Sequence, residues 1–255
     1  MNSRARARRM RDYERSTDQT LPPGQYVVAR LDGRGFSRLT REQGFQHPFD
    51  SGFREAMVHT TQHLMKCGPQ VLLGYTQSDE ISLLFHPSCR AFGRRTTKLL
   101  SVLAGEASAV LSLSLGVPSV FDCRLSILPS RLLVAEYFQW RIADSVRNSL
   151  HARAHDVLRS SGHSPREAHR HLSGLKAHEL RALSQATPSG TPSGSMGHDR
   201  GTAVWWEDQP RQPGESPASS PSQPTRRILR IEANLPSDSA CEAWLFDRIP
   251  ALPNT

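Results

Sequence analysis

Apolar residues run almost unbroken through Gln25 to Leu31, with Tyr26, Val27, Val28, Ala29 and Leu31. That is the pattern of a strand buried on both faces. It ends in Asp32-Gly33-Arg34-Gly35-Phe36, where two glycines permit a tight turn and a close approach of backbone to a ligand. From Asp50 to Lys66 the period changes. Phe53, Met57, Thr60, Thr61 and Leu64 fall on one helical face, Asp50 and Ser51 are N-cap types, and Gly68-Pro69 stops the helix. Val71 to Tyr75 and Ile81 to Phe85 are short apolar strands. Polar Thr76 to Glu80 between them predicts a hairpin with Asp79 and Glu80 near its tip, without the signature of a primed two-residue turn. Cys89 to Leu115 predicts one long helix with Phe92, Leu99, Leu103, Ala107 and Val110 inward, ended by Gly116 and Pro118. A strand over Ser119 to Leu128 follows. A second long helix then runs from Arg131 to about Arg159 through Tyr137, Phe138, Trp140 and Ile142, and shorter helices start at Ser164-Pro165 and cover Lys176 to Gln185.

After Ala186 the composition shifts. Thr187 to Gly197 and Gln209 to Thr225 are rich in Pro, Ser and Gly, as linkers are, and Gly201 to Glu207 and Arg227 to Glu232 read as strands. Trp244 and Leu245 read as the anchor of a terminal helix. Strand, helix, strand, strand, helix, strand is the split βαββαβ order of a ferredoxin-like domain. The fold class expected is therefore α+β, a polymerase-type palm with helices on one face of its sheet, additional helices, and a disordered or loosely attached C-terminal segment. The divisions expected are a flexible basic arm over 1–12, a palm-like catalytic domain over 13–130, a helical extension with a late strand over 131–208, a Pro/Ser-rich linker over 209–226, and a C-terminal strand and helix over 227–255.

Charge adds a partner class. With 32 basic against 24 acidic residues, the net charge is +8 over 255 residues, which favours an anionic partner, nucleic acid first. Arg90, Arg94 and Lys98, with Arg95, make a basic stripe on the long helix. The four cysteines, Cys67, Cys89, Cys123 and Cys241, show neither metal-ligand spacing nor a disulfide framework, which fits a reduced intracellular setting. No apolar run approaches the ~20 residues of a membrane span, so no membrane partner is expected.

The candidate chemistry lies in acids at strand ends. Asp32 closes the first strand, and Asp79 and Glu80 sit in the hairpin that neighbours it. Taken singly, Asp32-Gly33 reads better as a turn, and Asp79-Glu80 as a solvated hairpin tip. Taken together, converging carboxylates repel, and a bound cation is the usual way to keep both ionised. Mg²⁺ takes one or two carboxylates plus phosphate oxygens and water, and two such ions would serve an attacking and a leaving oxygen. Gly33 to Phe36 offers backbone N–H groups to phosphate, and Arg95 and Lys98 offer a fork and a point charge to a triphosphate; a solvated helix face explains the latter pair equally. His151 and His155, four apart, read as helix surface.

Several segments in order resemble the tRNA-His guanylyltransferase family of 3′-to-5′ polymerases. They are Arg30-Leu31-Asp32-Gly33-Arg34-Gly35-Phe36, Tyr75-Thr76-Gln77-Ser78-Asp79-Glu80-Ile81-Ser82, Arg94-Arg95-Thr96-Thr97-Lys98-Leu99, Phe121-Asp122-Cys123-Arg124 and Trp140-Arg141-Ile142-Ala143-Asp144, with Arg200-Gly201-Thr202 late in the chain. The resemblance implies that Asp32 and Asp79 bind two Mg²⁺ ions with the Gly33 carbonyl, and that Glu80 is their acidic neighbour in catalysis. Asp32, Gly33, Arg34, Gly35, Phe36, Ser37, Ser78 and Asp79 would contact nucleotide, and Arg95 and Lys98 would hold triphosphate. Arg141, Arg147, Asn148 and Arg200 would contact RNA. GTP and ATP are the implied substrates with tRNA, the implied assembly is a homotetramer, and the implied location is cytoplasmic. Phe36-Ser37 stands where the family has an aromatic-His pair, and Ser145 to His151 keeps only Asn148 and Leu150 of a family helix motif. These departures leave open a template-dependent repair of tRNA 5′ ends without tRNA-His specificity, or a non-catalytic RNA-binding relative. A palm enzyme that makes a small or cyclic nucleotide is a further alternative from the residues alone.

Overall fold

The computed structural model describes residues 3–46, 50–185, 199–210 and 225–252. Segment 187–197 and most of 209–226, read above as linkers, lie outside the described residues. A basic helix α1 (Ser3–Arg15) with no buried residue leads to β1 (Tyr26–Gly33) and a short α2 (Phe36–Glu42). Then come α3 (Ser51–Leu64), β2 (Val71–Gln77), β3 (Glu80–Phe85), α4 (Thr96–Leu115) and β4 (Phe121–Leu128). The chain continues through α5 (Arg131–Ser160), α6 (Pro165–Leu172), α7 (Ala177–Gln185), β5 (Thr202–Pro210), β6 (Thr225–Glu232) and α8 (Asp238–Phe246).

The strands form one sheet in the order β4-β1-β3-β2-β5-β6, every neighbouring pair antiparallel. Its first four strands have the order that split βαββαβ connectivity produces. The divisions expected at 130 and 208 cut through this continuous sheet.

The near-continuous apolar run of β1 has a simple cause: both sheet faces are covered. Val27, Ala29 and Leu31 point into a core closed by α3 and α4, which contribute Met57, Leu64, Leu99, Leu103, Ala107 and Leu111. Tyr26 and Val28 point into a second core with Val134, Ala135, Phe138 and Ile142 of α5 and Cys241 and Leu245 of α8. The two palm helices, α3 and α4, lie on one face as expected, and the additional helices α5 and α8 cover the other. α3 starts where its cap predicts, with Asp50 accepting the Phe53 N–H at 2.9 Å. α6 starts at a full capping box between Ser164 and Glu167.

Four expectations of detail change. The Cys89–Leu115 helix is broken, because a 3₁₀ turn at Ala91–Arg94 carries Phe92, Gly93 and Arg94 at positive φ and α4 begins only at Thr96. Residues 36–42 are helical, started by Gly35 at φ 74°. The C-terminal segment is docked and not loosely attached: β6 pairs along β5, Leu235, Cys241, Leu245 and Ile249 are buried, and Tyr26 donates to the Pro250 carbonyl at 2.7 Å. Finally, α4 is long and apolar enough, by length and composition only, to cross a membrane. Its Leu99, Leu103, Ala107 and Leu111 stripe lies in the first core.

The sheet meets α3 without clearance at Gly74. A Cβ built there would lie 2.7 Å from Thr61 Cγ2 and 3.2 Å from Met65 Sδ. Gly74→Ala is expected to destabilise by about 1–3 kcal/mol through overpacking. Thermal melts should show a lower Tm, and an unchanged Tm would show that α3 can shift freely off β2.

Candidate active site

Strand register creates the acidic site. β1 pairs with β3 and with β4 so that Asp32 stands opposite Glu80 on one side and Asp122 on the other. Directly opposed residues share a face, so the three carboxylates make one row at the end of the sheet, on the face that α5 covers. Beyond Asp32 the backbone is drawn between its neighbours: Gly33 N–H donates to Asp79 O at 3.0 Å, and Arg34 N–H to Val120 O at 2.8 Å. Gly33 has no room for a side chain, since a Cβ would sit 2.5 Å from Phe36 Cδ2 and 2.9 Å from Asp79 Cβ. Asp79 therefore lies directly against the Asp32-Gly33 peptide.

The hairpin tip is shorter than Thr76 to Glu80 suggested. Gln77 pairs with Glu80, leaving a two-residue loop of Ser78 and Asp79, with Ser78 at φ 47°. Positive φ is what a tight hairpin demands, and Ser78 meets it without glycine while its hydroxyl donates to Asp79 Oδ1 at 3.0 Å.

The acids divide by their partners. Glu80 is 7% exposed, and both its oxygens accept from Arg141 Nη1, at 2.9 and 3.1 Å. Arg30 approaches it at 3.5 Å. Burial pushes the Glu80 carboxyl above its ordinary value, while Arg141 and Arg30 pull the other way. Asp144 pairs with Arg141 at 2.9 Å and with Arg147, and Asp122 with Arg124 at 3.1 Å. Among the described residues Asp32 and Asp79 have no ion pair. Burial raises the Asp79 carboxyl above 3.8, its own N–H and Ser78 oppose the rise, and the nearby Asp32 charge adds to it.

That donor set fits Mg²⁺ better than a self-contained cage. Among the described residues no three His, Cys, Asp or Glu side chains gather to hold a metal. Two adjacent, half-buried, unpaired carboxylates beside the Gly33 carbonyl are what Mg²⁺ uses when substrate phosphate and water complete its shell.

Other expected site residues scatter. Arg34, Gly35, Ser37 and Ser78 are exposed around the pair. Phe36 is corrected: its ring is buried between Phe53 and Phe121, with centroids 5.9 and 5.3 Å away, so it anchors the loop and its side chain is not offered to nucleotide. Arg95 and Lys98 are not brought to the carboxylates within one chain. They lie at the start of α4, beside Asp18, whereas Ser108, ten residues on, accepts the N–H of Phe121 near Gly33. Ten helical residues span ~15 Å. Arg94, from the same basic stripe, donates to the Leu21, Pro22 and Cys89 carbonyls.

Arg141 is corrected as an RNA contact. It is 3% exposed, committed to Glu80 and Asp144, and lies 3.8 Å from the Trp140 ring centroid. Arg200 donates to the Pro236 carbonyl at 2.7 Å, while Arg147 and Asn148 remain exposed on α5. Sequence reasoning passed over Asp122, Asp144, Arg30 and Arg124 as site residues. The alternation Asp122, Arg124, Ser126 along β4 was the available signal.

A family model, tRNAHis guanylyltransferase, matches residues 7–129. The probable tRNA(His) guanylyltransferase of Mus musculus is 31% identical over 175 residues, covering 65% of this chain and 58% of that protein. That of Bos taurus is 33% identical over 178 residues, covering 66% and 59%. The chain thus spans about three fifths of the length of these relatives. Among solved structures, a bacterial tRNA(His) guanylyltransferase-like protein in complex with ATP superimposes with a TM-score of 0.69 at 23% identity, over 95% of this chain and 98% of that one. The same kind of protein in complex with GTP gives 0.67 over the same shares. These structural likenesses establish the fold.

The raised Asp79 carboxyl has a consequence for stability. The folded chain holds that proton more tightly than the unfolded chain, so stability falls as pH rises through the window above 3.8. Asp79→Asn removes the charge. It is expected to raise Tm at pH 7 in metal-free buffer, with the gain fading as pH falls toward 4. A gain independent of pH, or a loss at pH 7, would contradict the assignment.

Proposed function

We propose that this chain is a member of the tRNAHis guanylyltransferase family, which the match over residues 7–129 and relatives at 31–33% identity support, and that it is a Mg²⁺-dependent nucleotidyltransferase that adds a nucleotide, guanosine from GTP foremost, to the 5′ end of a tRNA. The observation that carries this reading is the unpaired Asp32 and Asp79 pressed together at the end of a palm sheet while every neighbouring acid is neutralised by an arginine. Asp32, Asp79 and the Gly33 carbonyl would hold two Mg²⁺ ions, which when bound supply neutralisation of phosphate charge and a more acidic attacking hydroxyl.

The chain's own groups then have distinct tasks. Asp32 and Asp79 fix where phosphates are held. Gly33, packed under Phe36, keeps the loop flat enough for substrate to approach. The exposed Arg34, Gly35, Ser37 and Ser78 surround the nucleotide. Arg141 keeps Glu80 folded back into the protein, so the hairpin presents Asp79 outward.

The chemistry proceeds in two displacements. A 5′-phosphate oxygen of the tRNA attacks the α-phosphorus of ATP or GTP, and pyrophosphate leaves. The 3′-hydroxyl of an incoming GTP then attacks the activated 5′-phosphorus, loses its proton, and expels the nucleoside monophosphate. Charge held in place ahead of reaction is the main catalytic contribution in such transfers. The placement of Arg95 and Lys98 far from the carboxylates supports an assembly of copies, a homotetramer by family resemblance, in which they serve a neighbouring copy's triphosphate. The altered segment from Ser145 to His151 supports a second reading, in which the same chemistry repairs truncated 5′ ends of several tRNAs.

The test is incorporation of labelled GTP into 5′-phosphorylated tRNA with Mg²⁺. Asp32→Ala and Asp79→Ala are each expected to lower the rate ~100-fold or more, since removing metal stabilisation costs several kcal/mol. Wild-type incorporation by Asp79→Ala would show the metal assignment to be wrong. Parallel reactions on full-length tRNA-His and on 5′-truncated tRNAs separate the two readings.

A further inference from the structure

Away from the carboxylates, the sheet carries a second polar feature. Between the C-terminal end of α3 and strands β2, β5 and β6 lies an open cleft of about 560 Å³. Lys66, Gln70, His86, Trp206 and Arg227 supply its polar and aromatic lining, and no acidic residue lines it. Trp206 is half-buried, packed on one side against the palm core, and the Arg227 guanidinium sits 5.1 Å from its ring centroid. Lys66 is exposed and has no ion pair among the described residues. The His86 Nδ1 accepts the Ser88 N–H at 3.1 Å. That fixes the tautomer and leaves Nε2–H as a donor. Asp208 stands opposite Arg227 in the β5–β6 register but does not line the cleft.

Three cationic or donor groups around an aromatic ring meet both halves of one ligand class. Phosphate takes Lys66, His86 and Arg227, and a base takes the Trp206 ring or the guanidinium plane above it. Met65, Pro69, Val71 and Leu72 add an apolar wall, and the charge at the rim is all cationic, which favours a phosphate over a mixed-charge protein segment. We propose that this cleft binds an unpaired nucleotide of an RNA strand, outside the reaction centre. The inference builds on the RNA reading above for its choice of strand over free nucleotide. Trp206 follows Trp205, which pairs with Leu73, and five residues along β2 separate Leu72 in the cleft from Gln77 at the hairpin. At ~3.3 Å per residue that is ~17 Å along the strand alone, and Trp206 on β5 is three strands from Asp32 on β1, so the cleft is well outside the reaction centre. Trp206 packs on the α3 side of the sheet, whereas the carboxylate row lies on the α5 side, so the cleft adds positive surface that the reaction centre does not use.

The experiment is a binding titration of the full chain with fluorescein-labelled, 5′-phosphorylated tRNA and, separately, with GTP. The double variant Lys66→Ala/Arg227→Ala is expected to weaken RNA binding about tenfold at 0.1 M salt and to flatten its salt dependence by ~1–2 in the log–log slope, two phosphate contacts' worth. Its affinity for GTP should not move. Trp206→Leu should weaken RNA binding about tenfold, and Trp206→Phe should restore most of it, because a ring but not an aliphatic chain offers a stacking face. Circular dichroism melts confirm that each variant is folded. Unchanged RNA affinity in the folded double variant would overturn the proposal, as would an equal loss of GTP affinity, which would make the cleft a free-nucleotide site. Loss of poly-glutamate binding with RNA binding intact would assign the surface to an acidic protein and overturn it equally. None of these readouts needs turnover, so RNA binding lost in the variants of a chain that adds no nucleotide would leave this inference standing while the activity proposed above fell.

Discussion

Glu80 is a buried carboxylate one residue from the hairpin tip, and Arg141 is the buried guanidinium that answers it. Neither tolerates solitude: an unpaired charge at that depth costs several kcal/mol, and losing one partner of such a pair is far worse than replacing both. The pair joins the sheet to the middle of α5, and Arg30 and Asp144 extend it on either side. Once Glu80 is held inward, antiparallel alternation leaves Asp79 at the tip and Asp32 across from it without a cation of their own. The Glu80–Arg141 pair fixes α5 over the sheet at the same place where the second core packs its Phe138 and Ile142, and it leaves the carboxylate pair unneutralised.

The same logic separates structural from chemical charge. Five acids crowd one end of the sheet and the stretch of α5 beside it, and composition alone cannot rank them. Glu80, Asp122 and Asp144 each meet an arginine. Asp32 and Asp79 do not, and the rise of the Asp79 carboxyl records first its burial and then the nearby Asp32 charge. Two such carboxylates side by side are destabilising on their own, and a divalent cation between them would relieve both.

Much of this was legible in the chain because local rules and tertiary structure agree. The apolar run from Tyr26 to Leu31 implied burial on two faces, Asp50 and Ser164 marked helix starts, and the strand–helix order gave the palm. What failed did so where long-range contacts override local preference. Phe92, Gly93 and Arg94 take positive φ because Arg94 must reach the carbonyls of residues 21, 22 and 89, and that breaks an otherwise helical pattern. Phe36 resembled a ligand contact by position in a glycine-rich loop, yet the missing Cβ of Gly33 makes room for its ring inside the core. Arg141 carries the residue type of an RNA contact, and only the register that buries Glu80 shows what it is for. Trp206 and Arg227 lie on strands adjacent in space but separated by a segment outside the described residues, so no spacing rule relates them to Lys66.

The central claim is that Asp32 and Asp79 together form the metal site. The most direct measurement is anomalous diffraction from crystals grown with Mn²⁺ and a non-hydrolysable GTP analogue. Manganese peaks are predicted within coordination distance of both carboxylates and the Gly33 carbonyl, and absent in Asp32→Asn. Manganese bound at Glu80, Asp122 or Asp144 instead, or peaks that persist in Asp32→Asn, would contradict the account.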